Sequence, residues 1–359
     1  MVRIATAGCS WSAWLERLGA LAEDDPPNPA SQAFLADLAA DPVRPGQLGD
    51  EWSPKDVRDL RSALPARPLV DGPARASYVL GSFNRRALLE QAIRSIREDC
   101  TGIDAEIIVV DGGSTDGSIE WICSQQDVIG IIQHNRYLRD GSVRRRMSWG
   151  RFMNIAFRAA SSDWIAMISD DCYVLPGATS AALSRIEEAQ AAGLRVGGCA
   201  FYYRDWPMSS RYFVQRTLGG NLMVNHGFFS RSALAEIGYA NEYDFAFYKA
   251  DTDLSLRIWQ AGYAIIDCTG SICEHYVSPA EAARQANNAM MEYDRGMMRL
   301  RWPGLIGQKA RKMGPKYLDF VDPLETARKV FGPVLDKDLA DQPPGAVAPA
   351  AGTAPDAED

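Results

Sequence analysis

Short apolar runs alternate with stretches of helical periodicity from about residue 76 onward. Each apolar run is bounded by turn-forming residues, which predicts strands at 77–80, 106–110, 130–133 and 164–168. The intervening stretches predict helices over 86–98, from 118, over 152–160 and over 178–191. Strands separated by helices are typical of βαβ units. The pattern therefore predicts an α/β fold with a mostly parallel central sheet flanked by helices.

The rest of the pattern divides the chain into four parts. Aromatic-rich runs at 197–203 and 221–229 predict further strands after the βαβ units. The four expected parts cover 1–75, 76–303, 304–335 and 336–359. The first is an extension of helices and loops, the second is the main domain, and the third is a C-terminal extension. The last is rich in Pro, Ala, Gly and acids and poor in large apolar residues, so we expect a disordered tail.

Three of the predicted strands stop abruptly at short polar or charged residues. The candidates at these ends are Ser82, Asn84 and Arg85, then Asp111 and Ser114, and finally Asp170 and Asp171. In open α/β sheets, ligands bind beyond the carboxyl ends of the strands, so we expect the three clusters to face one crevice. A βα turn that uses Asp and Gly for backbone geometry and Ser or Thr as a helix cap would also explain the second cluster.

Asp170 and Asp171 leave their strand side by side. Adjacent carboxylates repel each other unless a cation neutralises them. Oxygen-rich sites suit Mg²⁺ or Mn²⁺, so the pair favours a divalent metal site. Cys172 follows directly, and we interpret its thiol as a packed side chain rather than a ligand.

Two later segments carry further candidates. Asp251 and Asp253 precede a helical pattern that ends at Gly262, and His275 follows the strand-like residues 271–273. An acid at a helix N-terminus is stabilised by the helix dipole, which is a complete structural explanation for either aspartate. A functional role for these residues is suggested only by their order in the chain after the other motifs.

The order of these motifs resembles the family 2 glycosyltransferases of the GT-A type over about residues 76–303. The resemblance implies a nucleotide-binding half over 76–177 and an acceptor-side half over 178–303. It also implies an inverting enzyme that moves a sugar from a nucleotide diphosphate sugar to an acceptor hydroxyl with Mn²⁺ or Mg²⁺. The acceptor would be a glycan, a lipid-linked compound or another hydroxyl compound.

The resemblance also assigns roles to the candidate residues. The implied donor contacts are Ser82, Asn84, Arg85, Asp111, Ser114 and Asp170. Asp171 and His275 are the implied metal ligands, and Asp251 is the implied general base. Asp251 would accept the proton of the acceptor hydroxyl while that hydroxyl attacks the anomeric carbon.

Three positions depart from the family pattern. Ser169 stands where the first acid of the metal motif is usual, Ala250 replaces a Glu, and Gly112 replaces Asp or Asn. These departures leave open a sugar-nucleotide-binding protein that has lost its activity. A nucleotidyltransferase on a related fold is a second alternative, although residues 81–85 lack the Gly-rich basic loop that it needs. A dehydrogenase is disfavoured because Gly112 and Gly113 do not form the GxGxxG fingerprint.

Composition narrows the function classes further. The chain has 359 residues, of which 47% are hydrophobic, and a net charge of −8. This acidity disfavours nucleic-acid binding, which needs a basic surface. The seven cysteines form no CxxC pair and no zinc spacing, so we expect reduced thiols and a cytoplasmic enzyme. No segment approaches the roughly 20 apolar residues of a membrane span, while peripheral attachment to a membrane stays open.

Overall fold

A computed structural model describes residues 2–6, 75–133, 147–206, 209, 211–216, 221–277, 288, 290–302 and 314–318. Within these residues, one mixed sheet of 11 strands runs through the protein. Helices pack against both of its faces. Most of the predicted N-terminal and C-terminal extensions, and the whole predicted tail over 336–359, lie outside the described residues.

The strands share one sheet and are numbered in chain order. They are β1 Val2–Thr6, β2 Ala76–Ser82, β3 Ala105–Asp111, β4 Val128–Gln133, β5 Trp164–Met167, β6 Cys172–Val174, β7 Val196–Trp206, β8 Phe213–Val214, β9 Gly227–Ser230, β10 Ala264–Tyr276 and β11 Lys316–Tyr317. The helices are α1 Arg86–Asp99, α2 Ser118–Ser124, α3 Trp149–Ala159, α4 Ala178–Ala191, α5 Arg231–Glu236, α6 Ala250–Gln260 and α7 Met291–Arg301.

The sheet contains two parallel groups. Its order is β1-β4-β3-β2-β5-β9-β7-β10-β6, with β8 paired to β7 and β11 paired to β8. The neighbours β4, β3, β2 and β5 are parallel, and so are β7 and β10. β9 lies antiparallel between β5 and β7 and joins the two groups. The predicted α/β architecture with a largely parallel central sheet is confirmed, and the antiparallel β9 is an addition to it.

Alternate side chains of β2 enter two hydrophobic cores. Tyr78 and Leu80 pack in the core that α1 and α4 cover, whereas Val79 packs on the opposite face with α3 and α6. All three side chains are fully buried. A strand that is buried on both faces has a continuous apolar sequence, which explains the pattern seen along the chain.

Several element bounds follow the predictions and others do not. Helix α4 covers the predicted residues 178–191. By contrast, β10 extends well before and after the predicted residues 271–273, and β9 covers only the end of the predicted run 221–229. Strand β1 pairs antiparallel with β4 and was not predicted, and neither was the short β6. Because β6 pairs with β10, the two predicted halves share one sheet, and the boundary at 177 stays a prediction.

Two further features of the described residues are the character of the helices and the state of the cysteines. None of the helices in the described part of the chain has the length and apolar character that crossing a membrane requires. The cysteines described there are free thiols at positions 100, 123, 172, 199, 268 and 273.

Candidate functional site

The carboxyl ends of β2, β3 and β5 lie side by side at one edge of the sheet. Ser82 and Asp111, which end β2 and β3, are register partners. The Gly112 N–H donates to the Ser82 carbonyl at 2.9 Å. On the other side of β2, the Ile168 N–H donates to the Val79 carbonyl at 3.3 Å. The three polar clusters predicted from the strand ends therefore share one edge, as parallel pairing requires.

Asp111 is fully buried and organises the turn that follows it. Its Oδ1 accepts hydrogen bonds from the N–H groups of Gly113 at 2.8 Å and Ser114 at 2.7 Å. Its Oδ2 accepts from the Ser114 hydroxyl at 2.7 Å. Burial raises the pKa of the Asp111 carboxyl above its usual value, although the bonds from Ser114 and Gly113 oppose the shift. The carboxylate therefore fixes the loop between β3 and α2.

Asn84 links this loop to the one that follows β2. Its backbone is left-handed, with a φ of 51°, a conformation in which Asn is enriched among non-glycine residues. Its N–H donates to Ser114 Oγ at 2.8 Å, and its Oδ1 accepts from the Thr115 N–H at 2.7 Å. Ser82 is also buried at this edge, and its hydroxyl has no hydrogen-bond partner within the described residues. A buried polar group of this kind favours a ligand that satisfies it.

Arg85 bridges the two adjacent acids that follow β5. Its Nη1 lies 2.5 Å from Asp170 Oδ1, and its Nη2 lies 2.8 Å from Asp171 Oδ2. Both carboxylates are almost fully buried, and 14% of the Arg85 side chain is exposed. The guanidinium therefore balances the repulsion between the acids, a contact that the sequence analysis did not predict. Its planar fork of donors suits two carboxylate oxygens better than a Lys ammonium would.

His275 connects Asp171 to a third acid. Its Nε2 lies 3.3 Å from Asp171 Oδ1, and its Nδ1 lies 2.6 Å from Asp205 Oδ1. The contact with Asp205 arises because the two residues are register partners on β10 and β7. Burial lowers the pKa of His275, but Asp171 and Asp205 outweigh burial and hold that pKa well above its usual value. Asp205 was not predicted as a site residue. The one sequence signal for it is its acidic side chain within the largely apolar strand β7.

The predicted metal ligands, Asp171 and His275, are spaced as two ligands of one ion. Two ligands about 2.1 Å from an octahedral ion and at right angles lie about 3 Å apart. Asp171 Oδ1 and His275 Nε2 are 3.3 Å apart. Among the described residues, no group of three or more His, Cys, Asp or Glu side chains is arranged to hold a metal ion by itself. The pair would hold a divalent ion if His275 released its ring proton, and oxygens from outside the protein would then supply the remaining ligands.

Asp251 lies in the first turn of α6 and is partly buried. Its Oδ2 accepts a hydrogen bond from Asn225 Nδ2 at 2.7 Å. Its Oδ1 accepts from the Thr252 N–H at 2.7 Å. Oδ1 also accepts from the Thr252 hydroxyl at 3.4 Å. These bonds fix the orientation of the carboxylate, and Oδ2 keeps a lone pair for a further donor.

The side chain of Tyr203 packs near His275 and is influenced by the charge of Asp251. Burial raises the pKa of Tyr203 well above its usual value, and the charges of Asp205 and Asp251 add to the shift. The Tyr203 ring centroid lies 6.1 Å from that of His275 and 4.8 Å from that of His226. The charge of the predicted base therefore acts on the aromatic side chain that packs near the predicted metal ligand.

Asp253 has a different environment from Asp251. It is fully buried, and its Oδ2 accepts from Arg257 Nε at 2.8 Å. Its Oδ1 accepts from Arg301 Nε at 3.1 Å and from Trp302 Nε1 at 2.9 Å. Asp253 therefore holds two basic side chains in addition to lying in the first turn of α6. Both of its oxygens are engaged in packing, which sets this aspartate apart from the predicted base.

His226 and Cys172 pack beside His275. The ring centroids of His226 and His275 are 5.1 Å apart, and the Cys172 thiol lies 3.6 Å from His226 Nδ1. His226 and Cys172 are both buried. Burial raises the pKa of the Cys172 thiol well above its usual value, although His226 opposes the shift. A protonated, buried thiol is inert, in agreement with the prediction that Cys172 is a packed side chain.

Comparison with known proteins finds one family. Residues 77–236 match the family model described as Glycosyl transferase family 2. The matched span contains the predicted donor contacts and Asp171, and it ends before Asp251 and His275. No curated protein matches the chain.

Solved structures resemble the chain more distantly. The mannosyltransferase PcManGT from Pyrobaculum calidifontis, in complex with GDP-Man and Mn²⁺, is 18% identical, and the match covers 75% of this chain and 70% of that chain with a TM-score of 0.45. TarS from S. aureus is 14% identical over 66% of this chain and 41% of that chain, with a TM-score of 0.45. TarS 1-349 in complex with UDP-GlcNAc is 13% identical over 66% of this chain and 68% of that chain, with a TM-score of 0.44.

Proposed function

Residues 77–236 belong to glycosyl transferase family 2, and from this premise we propose that the protein moves a sugar from a nucleotide diphosphate sugar to an acceptor hydroxyl with inversion at the anomeric carbon. The observation that carries the proposal is the contact of Asp171 with both Arg85 and His275 at the sheet edge. This contact joins an acid pair, a guanidinium and a histidine. The charge of Asp251, the proposed base, raises the pKa of Tyr203, whose ring packs near His275, which supports a role for Asp251 beside this group.

The nucleotide would bind along the ends of β2 and β3. A base and a ribose need hydrogen-bonding partners, which the Ser82 hydroxyl and the fixed loop of Asn84 and Ser114 offer. Asp111 is fully buried and would support base binding by holding this loop in place through its own bonds. Asp170, which Arg85 orients, would contact the ribose.

The diphosphate would lie next to Arg85, because a diphosphate needs a nearby cation. The Arg85 guanidinium, which contacts both Asp170 and Asp171, is such a cation. The spacing of Asp171 and His275 fits a Mn²⁺ or Mg²⁺ ion between them. Such an ion, when bound, supplies positive charge that stabilises the leaving diphosphate. Arg85 would contribute charge of the same sign through fixed hydrogen bonds.

Asp251 would act on the acceptor. Asn225 and the Thr252 N–H hold its carboxylate in one orientation, so that an oxygen can receive the proton of the acceptor hydroxyl. The acceptor oxygen attacks the anomeric carbon opposite the diphosphate, and the bond from that carbon to the diphosphate oxygen breaks. One displacement inverts the configuration and forms no covalent enzyme intermediate.

Donor binding tests the proposal without knowledge of the acceptor. In a panel of nucleotide sugars with and without MnCl₂, at least one should raise the Tm, because a ligand that binds the folded state stabilises it. At about 100 times its Kd, such a ligand adds about 2.7 kcal/mol, or roughly 5–10 °C. Asp171→Asn should lose the Mn²⁺-dependent part of this shift. Asp163→Asn, the same substitution at an exposed residue before β5, is the matched control and should keep it.

Two results would redirect the assignment. If no nucleotide sugar stabilises the protein under any of these conditions, the proposed donor is wrong. If a donor binds but no nucleoside diphosphate is released with a range of hydroxyl acceptors, the alternative of an inactive sugar-nucleotide-binding protein is favoured. The observation that favours this second function is that Ser169 and Ala250 stand where the family pattern usually has acids.

A further inference from the structure

One buried carboxylate fastens the loop before α6 to α7. Asp294 lies in the first turn of α7 and is fully buried. Its Oδ1 accepts from the Ala246 N–H at 2.6 Å. Its Oδ2 accepts from the N–H groups of Phe247 at 2.9 Å and Tyr248 at 2.7 Å. Three successive backbone donors therefore converge on a side chain that follows them by at least 46 residues.

The same loop is held at further points. The Ala246 carbonyl accepts from the Trp149 N–H at the start of α3 at 2.9 Å. The Tyr248 hydroxyl donates to Asn288 Oδ1 at 2.6 Å. Lys249, the residue before α6, is left-handed with a φ of 65°. A non-glycine residue keeps such a conformation where the surrounding contacts enforce it, so the start of α6 is imposed by the packing.

Helix α7 also contacts α6 beyond Asp251. Arg301 at the end of α7 and the adjacent Trp302 both donate to Asp253. The segment around α7 therefore holds the chain at 246–248, before Asp251, and again at Asp253, after it. Asp251 is placed between two fastened points, so its position depends on α7.

We propose that Asp294 is a positioning residue for sugar transfer, because it fixes where α6 begins and thereby places the Asp251 carboxylate. The inference rests on the proposed function, in which Asp251 is the general base. Asp294 acts through the backbone of residues 246–248 and not by contact with the substrate. A misplacement of about 1 Å can lower a rate roughly 100-fold, whereas nucleotide binding at β2 and β3 does not involve this loop.

Asp294→Asn tests the positioning role. The substitution replaces one acceptor oxygen with an NH₂ group, which faces a backbone N–H and cannot accept from it. We expect kcat to fall roughly 10- to 100-fold while the Kd of the nucleoside diphosphate is unchanged. The amide hydrogens of residues 246–248 should exchange with solvent faster than in the wild type. Glu292→Gln is the matched control, because Glu292 lies on the same helix with 78% of its side chain exposed, and it should change none of these quantities.

Three outcomes would overturn the inference. Unchanged exchange at residues 246–248 shows that Asp294 does not fasten the loop. Faster exchange with an unchanged kcat shows that the fastened loop does not position the base. A joint loss of kcat and nucleotide affinity shows a general loss of structure. If Asp294→Asn does not fold, Asp294→Glu carries the same test, because it keeps the carboxylate and moves it by one methylene, and its loss of kcat should be smaller.

The failure of this inference and the failure of the proposed function give different results. Asp251→Asn, measured in the same assay, tests the base itself, and full turnover in that variant contradicts the proposed function. The exchange of the three amides in Asp294→Asn does not depend on turnover. A fully active Asp294→Asn beside an inactive Asp251→Asn removes only the positioning role.

Discussion

Asp111 at the proposed donor edge and Asp251 on the proposed acceptor side are held in contrasting ways. Asp111 is bonded by Gly113 and Ser114, which follow it by no more than 3 residues. Asp251 is bonded by the adjacent Thr252 and also by Asn225 from 26 residues away, and its helix begins at a loop fastened by the distant Asp294. A local turn leaves a pattern in the sequence, whereas contacts between distant segments do not. The Asp111 turn is thus encoded locally, whereas the Arg85 contacts with Asp170 and Asp171 and the Asn225 contact with the proposed base depend on tertiary packing.

The family match covers only one of these two regions. It spans residues 77–236, which include the Asp111 turn and the contacts of Arg85 with Asp170 and Asp171. It stops before Asp251 and His275, each of which has a partner in another element. Substitutions at the proposed donor edge and on the proposed acceptor side should therefore affect different quantities. Measurements of turnover and of stability distinguish them.

Asp251→Asn should have the largest effect. Removing a general base lowers kcat by roughly 10²- to 10⁴-fold. The Kd of the donor should not change, because Asp251 lies outside the predicted donor contacts. Steady-state kinetics and calorimetry measure the two quantities separately. If turnover is retained, or if donor affinity falls in parallel with it, the assignment of Asp251 to the acceptor side is wrong.

Arg85→Met should lower stability at the donor edge. It leaves the buried Asp170 and Asp171 without their guanidinium partner. Removing one partner of a buried ion pair costs roughly 3–5 kcal/mol, and the partial exposure of Arg85 favours the lower value. Urea unfolding measures the loss, and Mn²⁺ should restore more stability to Arg85→Met than to the wild type. Arg86→Met, at the neighbouring exposed arginine, is the control. Equal losses in the two variants would show that the acids do not need a cation.

Asp253→Asn should act on stability rather than on turnover. Its carboxylate accepts from Arg257, Arg301 and Trp302, so the expected loss is about 1–3 kcal/mol. This exceeds the ~0.3–1 kcal/mol of an acid that only complements a helix dipole. The Tm should fall by about 2–4 °C per kcal/mol. A loss of kcat as large as that of Asp251→Asn, without a change in Tm, would reverse the roles of the two aspartates.

Deleting residues 336–359 should have the smallest effect. The segment is poor in large apolar residues and should add little to either side of the site. Its removal should leave the Tm and kcat nearly unchanged. Since ~1 kcal/mol moves the midpoint of a large domain by about 2–4 °C, a drop of several degrees on thermal unfolding would show that the segment packs.

The parallel part of the fold could be predicted because its strands are buried on both faces. Their apolar runs stand out from the turns, and α4 was predicted with the bounds that it has. The expected α/β fold with a largely parallel central sheet is confirmed. The antiparallel β9 and the length of β10 could not be predicted, because strand direction and extension depend on pairing partners. The strand Cys172–Val174 is too short to show a period.

The candidate site could be predicted where its residues follow a strand end. Ser82, Asp111 and Asp171 were found in this way, and they do share one edge. Asp205 and Asp294 were missed, because a single acid within a strand or helix has no local signature. Their roles appear only when β7 meets β10 and when α7 meets the loop before α6.

The proposed transfer is a single displacement at the anomeric carbon, with Asp251 receiving the acceptor proton. Proton NMR of the first product formed from an α-linked nucleotide sugar reports the configuration of the new bond. A β-linked product is expected, since one in-line attack inverts the anomeric carbon. An α-linked product would rule out this mechanism, because net retention of configuration is incompatible with a single in-line displacement.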